Sequence, residues 1–248
     1  AITPMSVLAD SGSSTLAPGG IYNDGFALSW VDNVLDRAKP YGHGWIQGVV
    51  DSGDALCAEH QKLHGQLVDV VQKALDNPYY TEEVAAPLDP SSWAVVIDVP
   101  VYLTGQWHDE QTGPHFAALL DKFTSSPHAR FTVSNGVHVD GFSPQILMEW
   151  KTFMDFFIAR EIPTIDDLVV SLVPYFFAQG FGVELELSPN RFADYDDFEV
   201  ALADYNAEDR LRVIWECGGL PDGAGAPAGT FETHHTEWPL PDTVATRW

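Results

Sequence analysis

The chain has 248 residues, of which 45% are hydrophobic, 19% charged and 12% aromatic, a balance that excludes collagen-like, coiled-coil and disordered classes and suffices to bury a core. Twelve Lys and Arg face 36 Asp and Glu, a formal charge of −24; such a field repels phosphate backbones and anionic lipid, so neither nucleic acid nor a membrane is expected as a partner. No stretch approaches the ~20 apolar residues of a membrane-spanning helix, and Cys57 and Cys217, far apart and outside any C-x-x-C, give neither a disulfide framework nor a zinc knuckle.

Residues Ala1 to Leu8 form a short apolar run that reads as a strand, and Ser11 to Gly20, rich in Ser, Gly and Pro, reads as a connector. Asp24 to Ala38 has apolar residues near a helical period. Asp54 to Leu75 is the longest helical pattern, with Leu56, Leu63, Leu67, Val70, Val71 and Leu75 on one side and Asn77-Pro78 closing it. His60 and His64 stand four apart on that pattern, a metal-ligand spacing, but without the H-E-x-x-H order or a third ligand.

After Pro87 and Pro90 the pattern changes. Val99 to Thr104 is a nearly continuous apolar run stopped by Gly105, the mark of a strand buried on both faces. A loop, a helix from Pro114 to Phe123, a second strand from Ala129 to Val133, a loop and an amphipathic helix from Pro144 to Arg160 follow. This alternation predicts an α/β segment. From Asp166 onward, Val183 to Leu187 and Leu211 to Trp215 read as opening strands of an all-β module.

Two loops carry the chemistry. Gly105 to Gly113, which holds Trp107, His108 and Asp109, follows the first buried strand, and Ser134 to Asp140, which holds His138, follows the next. In an open α/β sheet, functional groups gather beyond the carboxyl ends of the strands. An Asp after one strand and a His after the next therefore face one crevice, in the chain order of acid and base in a hydrolase triad. On spacing alone, the alternative that Asp109 caps the next helix and His138 is a loop histidine stays open. No serine has Gly at both −2 and +2, so the G-x-S-x-G turn of such enzymes is missing from these 248 residues.

The run Leu103-Thr-Gly-Gln-Trp-His-Asp-Glu-Gln-Thr-Gly-Pro-His-Phe116, followed by Arg130-Phe-Thr-Val-Ser-Asn-Gly-Val-His-Val-Asp140, resembles the acid and His loops of the X-Pro dipeptidyl-peptidase-like α/β-hydrolases of CocE/NonD type. Ala1 to Asp10 with Pro18 to Phe26 resembles the strand and cap entrance after the nucleophile of that family. Arg212 to Gly219, with Phe231-Glu232 and Trp238-Pro-Leu-Pro241, resembles the start of its C-terminal jelly roll.

The resemblance implies an α/β fold: the C-terminal part of an α/β-hydrolase sheet with a helical cap, followed by the start of a β-sandwich (jelly-roll) domain. Its parts would be a core strand at 1–10, a cap over the site at 11–92, the second half of the core at 93–165 and the jelly roll from 166 to 248. It implies Asp109 as triad acid, His138 as general base, and no cofactor or metal. Trp107 and His108 flank the acid, where they would either line the substrate crevice or seat the loop. The substrate would be a small ester or peptide. The serine would come from a segment upstream of residue 1, making the missing N-terminal half a partner of this chain. The alternative expectation is a non-catalytic scaffold that associates with that half.

Overall fold

A computed structural model describes residues 1–64, 69–79, 81–244 and 246. The chain divides into two compact units: residues 1–10 with 89–248, and residues 11–88.

The larger unit is built on a sheet of four strands in chain order: β1 (Val101–Gln106), β2 (Ala129–Ser134), β3 (Leu211–Glu216) and β4 (Phe231–His235). β1, β2 and β3 run parallel, with Val101 opposite Ala129 and Phe131 opposite Leu211, and β4 closes the sheet antiparallel to β3. On the other side of β1, Ile2 and Met5 make isolated parallel bridges to Val101 and Thr104. The strand expected over Ala1 to Leu8 is thus reduced to two rungs, since Pro4 has no N–H to give a ladder.

Both central strands are buried along their whole length, and their two faces differ. Side chains alternate across a strand, which puts Val101, Leu103, Phe131, Val133, Leu211 and Val213 in one apolar cluster, together with Phe116, Leu119 and Leu120 from the segment after β1. Residues Pro114–Leu119 form a 3-10 helix, shorter and tighter than the helix expected to Phe123. The opposite face carries Tyr102, Thr104, Gln106, Arg130, Thr132 and Ser134, all buried, and its polar groups need partners within the protein. The Tyr102 hydroxyl donates to Thr132 at 3.0 Å.

The helix Pro144–Met154 starts where Ser143 accepts the Ile146 N–H on its hydroxyl and Pro144 takes the first turn. It runs into a π turn, Asp155–Ala159, and stops at Arg160 in the left-handed region, φ 62°. Asp155 is held there by Lys151 and by the Thr164 N–H. Behind it, Phe153, Phe156, Phe192 and Tyr205 form an aromatic cluster with Tyr102.

Residues 166–248 differ from the expected all-β opening. They begin with a helix, Asp167–Phe181, capped by the Asp166 carboxylate and ended by Gly182 at φ 74°. A second helix spans Phe198–Ala207. Leu211–Glu216, read as a jelly-roll strand, lies in the same sheet as β1 and β2 and parallel to β2. Val183 to Leu187 forms no strand. Its alternation is real, since Leu185 is buried while Glu184 and Glu186 are exposed, but Leu185 packs on Phe177, Ala226 and Ala228 without a ladder.

The smaller unit is helical, with Phe26–Ala38, Ile46–Asp51, Ala55–Gln61, Val70–Asp76 and Glu82–Ala85. The single helix expected from Asp54 to Leu75 is two: Asp54 caps the first through the Cys57 N–H, and Asp69 caps the second through the Gln72 N–H. Leu56, Leu63 and Leu75 of its apolar side are exposed, and Leu67 lies outside the described residues. The first helix ends at Gln61, leaving His64 in the turn beyond it with its Nδ1 2.8 Å from the Ala38 carbonyl. Among the described residues no group of three His, Cys, Asp or Glu could hold a metal ion.

Candidate functional site

The parallel pairing of β1 and β2 continues past their carboxyl ends. The Trp107 N–H reaches the Ser134 carbonyl and the His108 N–H the Gly136 carbonyl, both at 2.9 Å, so the two loops leave the sheet locked together. Close packing underlies this junction. A Cβ at Gly105 would fall 2.3 Å from the Phe116 ring, and one at Gly136 would fall 2.3 Å from Asp140 Oδ2. Only glycine lets the chain approach those groups so closely.

The first loop turns on Asp109. Its Oδ1 accepts the N–H groups of Gln111 and Thr112, each at 2.8 Å, an Asx-type turn that fixes the carboxylate. The other oxygen, Oδ2, lies 2.8 Å from His138 Nδ1. The Asp109 side chain is fully buried, whereas that of His138 is 29% exposed. The acid is therefore shielded and the histidine reaches solvent. Burial pushes the Asp109 carboxyl up, but the hydrogen bonds from Thr112, His138 and Gln111 outweigh it and hold the group below its ordinary range. An ionised Asp109 accepts a hydrogen bond from His138 Nδ1–H, which leaves the Nε2 lone pair free on the other side of the ring.

The second loop is held by two further carboxylates. Asp140 Oδ2 accepts the Val137 N–H at 2.7 Å, and Glu110 Oε2 accepts the His138 main-chain N–H at 3.1 Å. Asp140 behaves oppositely to Asp109: burial raises it, the Val137 N–H offsets this only in part, and the Glu110 charge raises it further. Glu110 is the member of this set that sequence reading missed. Nothing in its spacing separates it from the solvated acids around it, because the bond it makes is to a backbone group 28 residues away.

The structure thus brings Asp109 and His138 together. Trp107 stands apart, half-buried, with its ring centroid 6.1 Å from those of Phe116 and Trp215 and nearly parallel to Trp215. It also packs against the apolar cluster of the sheet, a seat for the loop that carries Asp109.

No family model matches the chain, and no curated protein does. Among solved structures, a CocE/NonD family hydrolase from Staphylococcus aureus is similar over 97% of this chain and 30% of its own, with a TM-score of 0.52 at 13% identity. The two share a fold. The sheet with its helices is of α/β class, and this chain spans about 30% of the length of that hydrolase.

Proposed function

We propose that Asp109 and His138 are the acid and base of a Ser-His-Asp triad, in a serine hydrolase of the X-Pro dipeptidyl-peptidase or acyl-esterase type whose serine comes from polypeptide outside these 248 residues. The observation that carries this reading is the 2.8 Å contact between Asp109 Oδ2 and His138 Nδ1, made at the carboxyl ends of two adjacent parallel strands. The likeness in fold to a hydrolase more than three times as long as the matched part supports it.

In this reading His138 Nε2 takes the serine proton as the hydroxyl oxygen attacks the ester or peptide carbonyl carbon. The imidazolium, stabilised by Asp109, then protonates the departing alkoxide or amine, leaving an acyl-enzyme. Water attacks that acyl group, gives its proton to His138, and the serine leaves with the proton returned from Nε2. Asp109 stays ionised throughout, in keeping with its lowered pKa. Trp107 lines the crevice with the part of its ring left open by Phe116 and Trp215.

The test is made on the polypeptide that contains both this chain and the serine. Fluorophosphonate labelling followed by peptide mass spectrometry is expected to place one adduct on a serine outside residues 1–248. His138→Ala should abolish labelling and lower kcat by about 10³-fold or more, and Asp109→Asn by about 10⁴-fold with the fold retained. Normal turnover in both variants would overturn the assignment.

A further inference from the structure

Three buried side-chain atoms on the polar face of the sheet have no hydrogen-bond partner among the described residues: Thr104 Oγ1, Gln106 Nε2 and Ser134 Oγ. They are neighbours, since Gln106 lies opposite Ser134 in the register and two residues beyond Thr104. Ser134 has the Cys217 thiol close by, a weak partner. Gln106 is fully buried, and an amide N–H without an acceptor is costly there. The other end of that amide is fixed, because Gln106 Oε1 accepts the Ser6 hydroxyl at 2.6 Å. Ser6 sits in the left-handed region at φ 50°, uncommon for a residue with a side chain, and its N–H donates to the Thr104 carbonyl at 3.0 Å. With its proton given to Oε1, the Ser6 hydroxyl keeps lone pairs that can accept.

What faces this pair of polar groups is a glycine. Residues His138–Phe142 form a 3-10 turn, in which residues three apart share a face. His138 meets Asp109, and Gly141, one turn on, faces Gln106, three residues before Asp109. The backbone does not require glycine at 141, because its φ lies outside the left-handed region. Nor do the neighbours: the atoms nearest to a Cβ built there are Gln106 Nε2 at 3.5 Å, Ser6 Oγ at 3.6 Å and Gln106 Cδ at 3.8 Å, all ordinary contacts. At Gly105 and Gly136, by contrast, a Cβ would fall 2.3 Å from a neighbouring side chain. Gly141 therefore leaves the space of a methyl group beside a buried N–H donor and a hydroxyl acceptor.

We propose that a buried water molecule is bound at this position, where it accepts from Gln106 Nε2, donates to Ser6 Oγ and packs against Gly141. The side chains around it, Gln106 and Ser6, are uncharged, so a neutral oxygen that both accepts and donates fits and an ion does not. A buried water needs at least two polar partners, and these supply them. The water fills the seam between the end of β1 and the turn that carries His138. It makes no bond to Asp109 or His138, so the site stands or falls independently of the hydrolase reading.

The test combines nuclear magnetic resonance with urea denaturation. Cross-relaxation from a long-lived water to the Gly141 α protons is expected in the parent and should be lost in Gln106→Met, which removes the amide but keeps the Ser6 hydroxyl. No cross-peak in the parent overturns the proposal, and so does one that persists in Gln106→Met, since it then arises from that hydroxyl. Gly141→Ala puts a methyl group where the water binds. It should lower the urea midpoint of the parent by leaving Nε2 without an acceptor, and raise that of Gln106→Met, where the alanine only restricts the unfolded chain. A shift of the same sign in both backgrounds overturns the proposal. Should Gln106→Met fail to fold, Gly141→Ala in the parent still decides, because a raised midpoint there means that no water was displaced.

Discussion

Glu110 Oε2 accepts the main-chain N–H of His138 at 3.1 Å while the neighbouring Asp109 holds the ring of the same histidine at 2.8 Å. Successive carboxylates of one loop thus fix both the position and the tautomer of one residue in another. Under the proposed mechanism Glu110 is a positioning residue. A hydrogen bond of this exposed kind contributes roughly 0.5–1.5 kcal/mol. Glu110→Ala is therefore expected to lower kcat by about two- to tenfold with little change in KM. Glu110→Gln, whose amide oxygen can accept the same N–H, should restore most of kcat. Steady-state kinetics of the two variants separates positioning from a charge effect; a kcat unchanged in Glu110→Ala removes the role.

The lowered pKa of Asp109 makes a stability prediction. A carboxylate whose folded pKa lies below its unfolded value contributes stability above the unfolded value, about 3.9, and that stability is lost as pH falls through the folded value. Asp109→Asn removes this contribution. The variant should be less stable than the parent at pH 7, and the gap should close in acid below about pH 4. Urea melts at neutral and acid pH measure the gap directly, and a gap that widened in acid would contradict the hydrogen-bond pattern around Asp109.

Asp140 has the opposite sign. Its folded pKa is raised, by burial first and then by the Glu110 charge. Its contribution to stability is complete below the unfolded value and is lost as pH rises through the folded one. At pH 7 the ionised group is a burden relieved in part by its bond from the Val137 N–H at 2.7 Å. Asp140→Asn keeps an acceptor for that N–H and sheds the charge, so its Tm at pH 7 should equal or exceed that of the parent. Asp140→Ala should lower Tm, because the Val137 N–H then loses its acceptor. Thermal melts of the pair decide between a charge effect and a simple loss of contact.

Much of the sheet and of the Asp109–His138 pair was legible because the relevant signals are local. Val101 to Thr104 and Ala129 to Val133 are buried on both faces, so they read as continuous runs, and each is followed at once by the loop that bears the chemistry. The strand at Leu211–Glu216 was legible as a strand but not in its partnership, since its parallel pairing to β2 joins residues about eighty apart. The helix Asp167–Phe181 went unread: Pro174 lies inside it, and Leu168, Leu172, Tyr175 and Phe176 are exposed, so no amphipathic period marks it. Its ends were marked, by Asp166 as cap and Gly182 in the left-handed region. The polar residues Thr104, Gln106, Thr132 and Ser134 of β1 and β2 are buried on the face opposite the apolar cluster, which a run read as apolar throughout does not disclose.

Gly105 is the penultimate residue of β1, just before the loop of Asp109, and its backbone lies against the Phe116 ring. A Cβ there would meet Phe116 Cδ2 at 2.3 Å and Cγ at 2.4 Å, well inside contact distance, and Phe116 is 1% exposed within the apolar cluster. Gly105→Ala is therefore an overpacking change, expected to cost about 1–3 kcal/mol, and it pushes on the strand end that aims Asp109 at His138. Phe116→Leu alone should also destabilise, by the volume it removes. In the double variant the smaller side chain makes room for the new methyl, so the two losses should be clearly less than additive. Urea denaturation of the four proteins gives the coupling. Strict additivity would mean that the ring does not confine Gly105, and that the close approach does not set the geometry of the Asp109 loop.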